Sequence, residues 1–475
     1  MALINPGGPG TSGVSGVQMY GRNILQKIVG NNWDIVGFDP RGMYGSEPVA
    51  NCSARTIPQY PDLNSRSVPR MPNDYYNSFI EYGKNIGMEC EAEAGGRLDA
   101  GRHMSTATTA RDMLSIVDAF AATEDGQRAS QPSHLLNFYG ISYGTFLGQT
   151  FASMFPERVG RMVLDGVVDP QSYLHNLTHN NVNQLDGALA SFFIYCHQLG
   201  AQDCNYHTGS SPRDVYERFM RSYSQLDAKK ARAEGWSNTT DIEAALLNLK
   251  NGILMTAYTP LNGLATLSND LLYLETAVQE DKLKRWNSWM VLHYGDTASP
   301  AGFAASEPQF LLGVLCSDQG NKWYMKDLED FRPLIDELEE QSIVADIWVK
   351  AQLACAGWSI KAAERFAGPF SGDTATPILF VGNTYDPVTP VDNALSSAKN
   401  YKDAQTVVID GLGHAILNSL NICGVVHVAA YFKNGTMPGD DSFCPFEGDK
   451  FSIPFQLNGT LEENIAQAGL TSLLG

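Results

Sequence analysis

One stretch limits what this chain can become. His134-Leu135-Leu136-Asn137-Phe138-Tyr139 is a short apolar run of buried-strand type, Thr145 to Phe155 reads as a helix, and Gly140-Ile141-Ser142-Tyr143-Gly144 stands between them. A G-x-S-x-G pentapeptide at a strand-to-helix junction marks a turn so sharp that the serine Oγ stands clear of the sheet. Glycine is needed on both sides, because a Cβ there would collide with the neighbouring strand and helix. The helix starts at the serine, so its positive end faces any oxyanion that develops nearby. In a chain with 44 glycines the pentapeptide also arises by chance, so it needs support. That support would be a loop of backbone donors upstream and, downstream, an acid followed by a histidine.

All three are present. Leu3-Ile4-Asn5-Pro6-Gly7-Gly8-Pro9-Gly10 is a strand end running into a glycine-proline loop whose backbone can approach a ligand closely. Pro6 and Pro9 have no N–H, so the donor there is Gly7 or Gly8. Pro377 to Asn383 is a strand that ends on Thr384-Tyr385-Asp386-Pro387-Val388-Thr389-Pro390, and Gln405 to Asp410 is a strand that ends on Gly411-Leu412-Gly413-His414. Ser142, Asp386 and His414 each fall just past the carboxyl end of a strand, and in an open parallel α/β sheet these ends form one rim. The expected roles are nucleophile for Ser142, general base and acid for His414, and orienting carboxylate for Asp386. The amide of Tyr143, with that of Gly7 or Gly8, is expected to hold the oxyanion.

The rest of the chain organises around these points. Ser15 to Val29 reads as a helix and Asp34 to Asp39 as a buried strand. Residues 50–100 form a long polar excursion rich in Pro, Asn and Gly. A helix is predicted over Thr106–Ala122 and a strand over Arg161–Val168. From Asp169 to Thr376 strand signals vanish and amphipathic helices take over: His179–Leu199, a capping box at Thr240-Asp241-Ile242-Glu243, then 262–279, 327–341 and 343–366. A last helix is predicted over Ser419–Phe432, followed by a loop-rich acidic tail. The prediction is an α/β-hydrolase fold: a mostly parallel sheet flanked by helices, built from residues 1–169 and 377–475. A helical cap, residues 170–376, is inserted between two of its strands.

Six segments carry a family resemblance: Asn5-Pro6-Gly7-Gly8-Pro9-Gly10, Asp39-Pro40-Arg41-Gly42, Gly140-Ile141-Ser142-Tyr143-Gly144, Val163-Leu164-Asp165-Gly166-Val167, Asp386-Pro387-Val388-Thr389-Pro390 and Gly411-Leu412-Gly413-His414. Together they resemble the tripeptidyl/prolyl aminopeptidase-like family of α/β-hydrolase serine peptidases, with its TAP-like C-terminal segment, from residue 3 to about 435. The resemblance implies a secreted serine exopeptidase with a helical cap. It would release short units from peptide N-termini through an acyl-enzyme on Ser142. It also implies a cap carboxylate that holds the substrate ammonium, for which Asp318 is the candidate, with a structural salt bridge as the alternative. The chain departs from the family in two ways. The family reads D-P-R-G-x-G-x-S where this chain has Asp39-Pro40-Arg41-Gly42-Met43-Tyr44-Gly45-Ser46, with the second glycine displaced. The family also has two strands and a signal peptide before the oxyanion loop. Without those strands the Asp34–Asp39 strand would keep an unpaired apolar edge, so we expect a native N-terminus upstream of Met1.

Composition narrows the alternatives. The net charge of −19 argues against nucleic acid and anionic membrane as partners, and no run of 18 apolar residues is present for a transmembrane helix. Cysteines at 52, 90, 196, 204, 316, 355, 423 and 444 suit four disulfides, with sequential pairing expected because each pair falls within one loop or subdomain. They point to secretion, with a cytoplasmic location as the alternative. Sequons at Asn51, Asn176, Asn238, Asn434 and Asn458 would allow glycosylation. His175 and His179 are four apart but lack the glutamate of an H-E-x-x-H, so we expect a surface pair and no metal or cofactor. Trp286, Trp289, Trp323, Trp348 and Trp358 are expected mostly in the core. The same three side chains serve any acyl transfer, so an esterase, thioesterase or acyltransferase of small esters is the alternative to a peptidase, and a non-catalytic binding protein a third reading.

Overall fold

The computed structural model describes residues 1–52, 69–175, 181–235, 239–279, 282–299, 302–303, 306–419, 421–439 and 442–447. Asn176, His179, Asn238 and Asn458 lie outside them. Seven strands form one sheet: β1 (Ala2–Asn5), β2 (Ile35–Gly37), β3 (Leu136–Ile141), β4 (Val159–Asp165), β5 (Leu379–Tyr385), β6 (Gln405–Leu412) and β7 (Phe443–Cys444). Their order is β2-β1-β3-β4-β5-β6-β7 and every pairing is parallel. A parallel sheet covered on both faces needs apolar side chains at successive positions, which is why these strands read as continuous apolar runs. Leu3, Phe138, Met162, Leu164 and Phe380 enter one core cluster, while their neighbours Ile4, Tyr139, Val163 and Val381 enter a second on the other face. β2 forms one edge, three half-buried residues long. β7, in the tail that was expected to be loop, adds the other edge, and the Cys423–Cys444 disulfide ties it to the helix Ile422–Asn434. All four disulfides follow the sequential pairing: Cys52–Cys90, Cys196–Cys204, Cys316–Cys355 and Cys423–Cys444.

Between β4 and β5 the described residues hold helices and no strand of the sheet. Two expectations need correction. The 50–100 excursion contains a 22-residue helix, Asn73–Ala94. The continuous helix expected over 343–366 breaks into the short turns Ala345–Ile347, Lys350–Ala354 and Cys355–Gly357. One contact explains both. Gly83 and Gly87, one turn apart, press the long helix against the 354–357 backbone: a Cβ on Gly83 would lie 2.1 Å from the Ala354 carbonyl oxygen, and one on Gly87 1.9 Å from that of Gly357. Backbones this close leave no room for side chains, and the Cys316–Cys355 bridge anchors the turn beside them. Gly87→Ala should therefore lower stability by roughly 2–3 kcal/mol, read as a shift in urea midpoint. An unchanged midpoint would mean that the two backbones stand farther apart.

Candidate active site

β3 delivers Ser142. The residue has φ 57° and ψ −126°, a strained backbone for a residue with a Cβ, and it leads directly into the helix Tyr143–Met154. Its neighbours show why the pattern requires glycine. A Cβ on Gly140 would lie 2.4 Å from the Gly144 carbonyl oxygen, and one on Gly144 2.5 Å from that of Asn5. The Ser142 amide donates to the Asp165 carbonyl at 3.0 Å, which anchors the turn to the end of β4. Thr145 Oγ1 donates to the Ser142 carbonyl at 2.6 Å and accepts from the Val168 amide at 2.9 Å.

β5 delivers Asp386 and β6 delivers His414. Both Asp386 oxygens lie 3.0 Å from His414 Nδ1, and the carboxylate is completely buried. Asp386 also accepts the amides of Val388, Thr389 and Ala415 at 3.0, 2.8 and 3.0 Å. Asn383 braces the histidine loop by donating from Nδ2 to the carbonyls of Gly413 and Ala415 at 2.8 and 3.0 Å. Gly413 and Ala415 both have positive φ, so His414 sits on a second strained turn. The turn at Gly166 packs close to the histidine: His414 Cε1 stands 3.3 Å from where a Cβ on that glycine would be. Ser142 Oγ makes no hydrogen bond to the His414 imidazole here; catalytic links of this kind are often long until substrate binds.

Three polar groups near the imidazole carried no role in the sequence reading. Thr389 Oγ1 lies 3.0 Å from His414 Nδ1, and the Tyr258 carbonyl accepts the His414 amide at 3.1 Å. The Tyr258 ring stands edge-on to the imidazole at 5.1 Å. Asp165 is the third: its buried carboxyl accepts from Tyr139 Oη at 2.7 Å and from the Ile416 amide, and burial pushes its pKa up to about 6. Its place at a strand end, like that of Asp386, was the available signal. Burial alone would lower the pKa of His414. The Asp386 carboxylate, with a smaller contribution from Asp165, outweighs burial and raises it. A general base must be neutral, so kcat/KM should fall as pH drops through a midpoint above 6.5, the ordinary histidine value. A pH profile with its acid limb below that value would contradict this balance.

The glycine loop settles beneath the serine. Gly7, Gly8 and Gly10 all have φ near +100°, and a Cβ on Gly7 would lie 2.8 Å from Ser142 Cβ. Of the two expected donors, Gly7 is already engaged: its amide donates to the buried Asn5 Oδ1 at 3.0 Å. In the loop 42–46, where the glycine is displaced, Tyr44 itself takes the left-handed backbone, φ 43°, and packs its ring at a tilt against Phe310, 4.8 Å between centroids. Asp39 holds that loop by accepting the Gly45 amide at 3.2 Å, and ties it to Ser12, whose Oγ donates to it at 2.6 Å.

Asp318, the candidate ammonium ligand, does not lie open to a ligand. It is 4 % exposed, accepts the Thr106 amide at 2.8 Å and the Thr106 hydroxyl at 2.5 Å, and receives Tyr173 Oη at 3.2 Å. Of the tryptophans, Trp286 and Trp358 are buried and Trp289 is 40 % exposed. His175, the described member of the histidine pair, is exposed and bonds through Nδ1 to the Gln171 carbonyl.

Residues 3–200 match the family model described as alpha/beta hydrolase fold, and residues 341–444 match the model described as TAP-like protein. The chain has the α/β-hydrolase fold, and its C-terminal part is similar to TAP-like proteins. The hydrolase is 25 % identical over 464 residues to the serine protease Hip1 of Mycobacterium tuberculosis, covering 93 % of this chain and 80 % of that one. It is 24 % identical over 465 residues to a tripeptidyl aminopeptidase of Streptomyces lividans, covering 93 % and 76 %. It is also 24 % identical over 448 residues to carboxylesterase B of M. tuberculosis, covering 93 % and 79 %.

Proposed function

We propose that this hydrolase is a serine peptidase that removes short units from peptide N-termini, with Ser142 as nucleophile, His414 as general base and acid, and Asp386 as the orienting carboxylate. Ser142 Oγ attacks the scissile carbonyl while His414 Nε2 takes its proton. Asp386 keeps the Nδ1 proton in place and stabilises the imidazolium. The amides of Tyr143 and Gly8 receive the oxyanion, since Gly7 already donates to Asn5. The imidazolium then protonates the leaving amine, and water, activated by the same base, releases the acyl unit. Serine protease and tripeptidyl aminopeptidase relatives aligned over most of the chain support a peptide substrate.

The observation that carries end-on cleavage is how the helices between β4 and β5 crowd the rim. They reach Gly10 through Leu311, Gly413 through Pro260, the His414 amide through Tyr258, and Tyr385 through Gly187. Residues 170–376 thus act as a cap that admits chain ends and obstructs the middle of a folded polypeptide. The four disulfides suit an oxidising, extracellular setting, and no helix among the described residues is long and apolar enough to cross a membrane. The carboxylesterase relative favours one second reading, hydrolysis of small esters. A panel of aminoacyl, prolyl, tripeptidyl and p-nitrophenyl ester substrates separates the two. We expect release of N-terminal units from free-amine peptides and none from N-acetylated ones. Ester turnover with no peptide cleavage would leave the esterase.

A further inference from the structure

Asp318 is the one buried carboxylate of the cap helix Pro308–Asp318, and its hydrogen bonds lead back to the residue after the nucleophile. Thr106 donates to it twice, through its amide and its hydroxyl. The same Thr106 Oγ1 lies 2.6 Å from Tyr143 Oη, and Tyr143 is the residue whose amide faces the oxyanion. The chain of contacts therefore runs from cap carboxylate to threonine hydroxyl to tyrosine phenol. Tyr173, which also donates to Asp318, packs its ring against Tyr143 at 5.9 Å and Phe146 at 4.1 Å, so the base of the Tyr143–Met154 helix is gripped from two sides. Arg365 Nε fixes the carboxylate's own backbone by donating to the Asp318 carbonyl at 3.0 Å.

We propose that Asp318 is a positioning residue for the oxyanion-binding amide of Tyr143, acting through Thr106. The inference rests on the assignment of Ser142 and Tyr143 made above. A buried carboxylate that accepts three donors holds them in fixed directions, and Thr106 Oγ1, having given its proton to Asp318, must accept from Tyr143. This orients the tyrosine and, with it, the first turn of the helix. Protonation of Asp318 turns one acceptor into a donor and reverses the order of the chain. The titratable and charged groups around the carboxylate are Tyr143, Tyr173 and the Arg365 guanidinium. Burial pushes the Asp318 pKa up to about 7, so the reversal falls near neutral pH.

The test uses the whole chain and an ester substrate without an amine, which removes any effect of ammonium binding. Asp318→Asn and Thr106→Val should each lower kcat roughly 10-fold with KM held within about twofold, a fraction of the 10²–10³ that a lost oxyanion donor costs. Thr106→Ser, which keeps the hydroxyl, should restore wild-type kcat. The pH profile of Asp318→Asn should lose an inflection near pH 7 and keep the histidine limb. If Asp318→Asn does not fold, the threonine pair and Tyr143→Phe give the same reading. A folded Asp318→Asn with wild-type kcat and pH profile on the ester would overturn the proposal, as would, in a parallel assay on free-amine peptides, a loss confined to KM for those peptides, which marks an ammonium site. Failure of a fluorophosphonate to label Ser142 in the wild-type protein would instead overturn the assignment beneath it, and the proposal with it.

Discussion

Asp386→Asn is expected to lower kcat by about 10⁴-fold while the protein stays folded. The asparagine can keep one oxygen on the amides of Val388 and Thr389, as Asp386 Oδ1 does now. Its Nδ2 then replaces the oxygen that accepts from the Ala415 amide and His414 Nδ1, which sets a donor against two donors. The imidazole can relieve this only by accepting at Nδ1 and placing its proton on Nε2. In that tautomer Nε2 is a donor and cannot take the Ser142 proton. Fluorophosphonate labelling of Ser142 should slow in parallel with turnover, and circular dichroism should remain that of the wild type. A loss smaller than about 10-fold would remove Asp386 from the site as drawn.

The largest effect on stability belongs far from the serine. Lys250 Nζ meets Asp346 Oδ2 at 2.5 Å, and both side chains are completely buried. Asp346 also accepts the Met71 amide at 2.9 Å, so one carboxylate joins the helix Thr239–Tyr258, the turn Ala345–Ile347 and the segment before Asn73–Ala94. Removing one partner strands the other charge in the interior, so Asp346→Ala should cost about 3–5 kcal/mol, whereas Lys250→Met with Asp346→Leu should recover most of it. Burial already lowers the pKa of Lys250, and losing Asp346 lowers it further. Between that lowered value and 10.5 the unfolded chain binds more protons than the folded one, so the stability of the single variant should rise with pH through this window. Urea titrations at neutral and alkaline pH would show it; a penalty that stays flat with pH would mean that Lys250 keeps its ordinary pKa, its ammonium having reached water or another partner.

What could be read from the residues follows from the range of the forces involved. β1, β3, β4, β5 and β6 were legible because a two-sided parallel sheet writes itself as unbroken apolar runs, and Gly140 and Gly144 because a local turn dictates them. The disulfides were legible because each closes a nearby loop, the longest separation being 39 residues. The helix Asn73–Ala94 was hidden: Gly83 and Gly87 look like helix breakers until Ala354 and Gly357, some 270 residues on, lie against them. The same contact falls within 343–366, where short turns replace the continuous helix. Asp318 was singled out as a candidate ammonium ligand, but the partners that enclose it, Thr106 and Tyr173, come from two other elements. Gly7 and Gly8 could not be ranked as donors without seeing the Asn5 side chain turn back on the loop.

The bond from the His414 amide to the Tyr258 carbonyl carries a practical lesson for anyone re-engineering this scaffold. Residues Tyr258 to Pro260 are at once the joint between two long helices of the proposed cap and the seat of the proposed general base. Swapping or trimming those helices to widen the entrance would therefore retune the base along with the doorway, so a graft that spares these three residues stands a better chance of keeping its turnover.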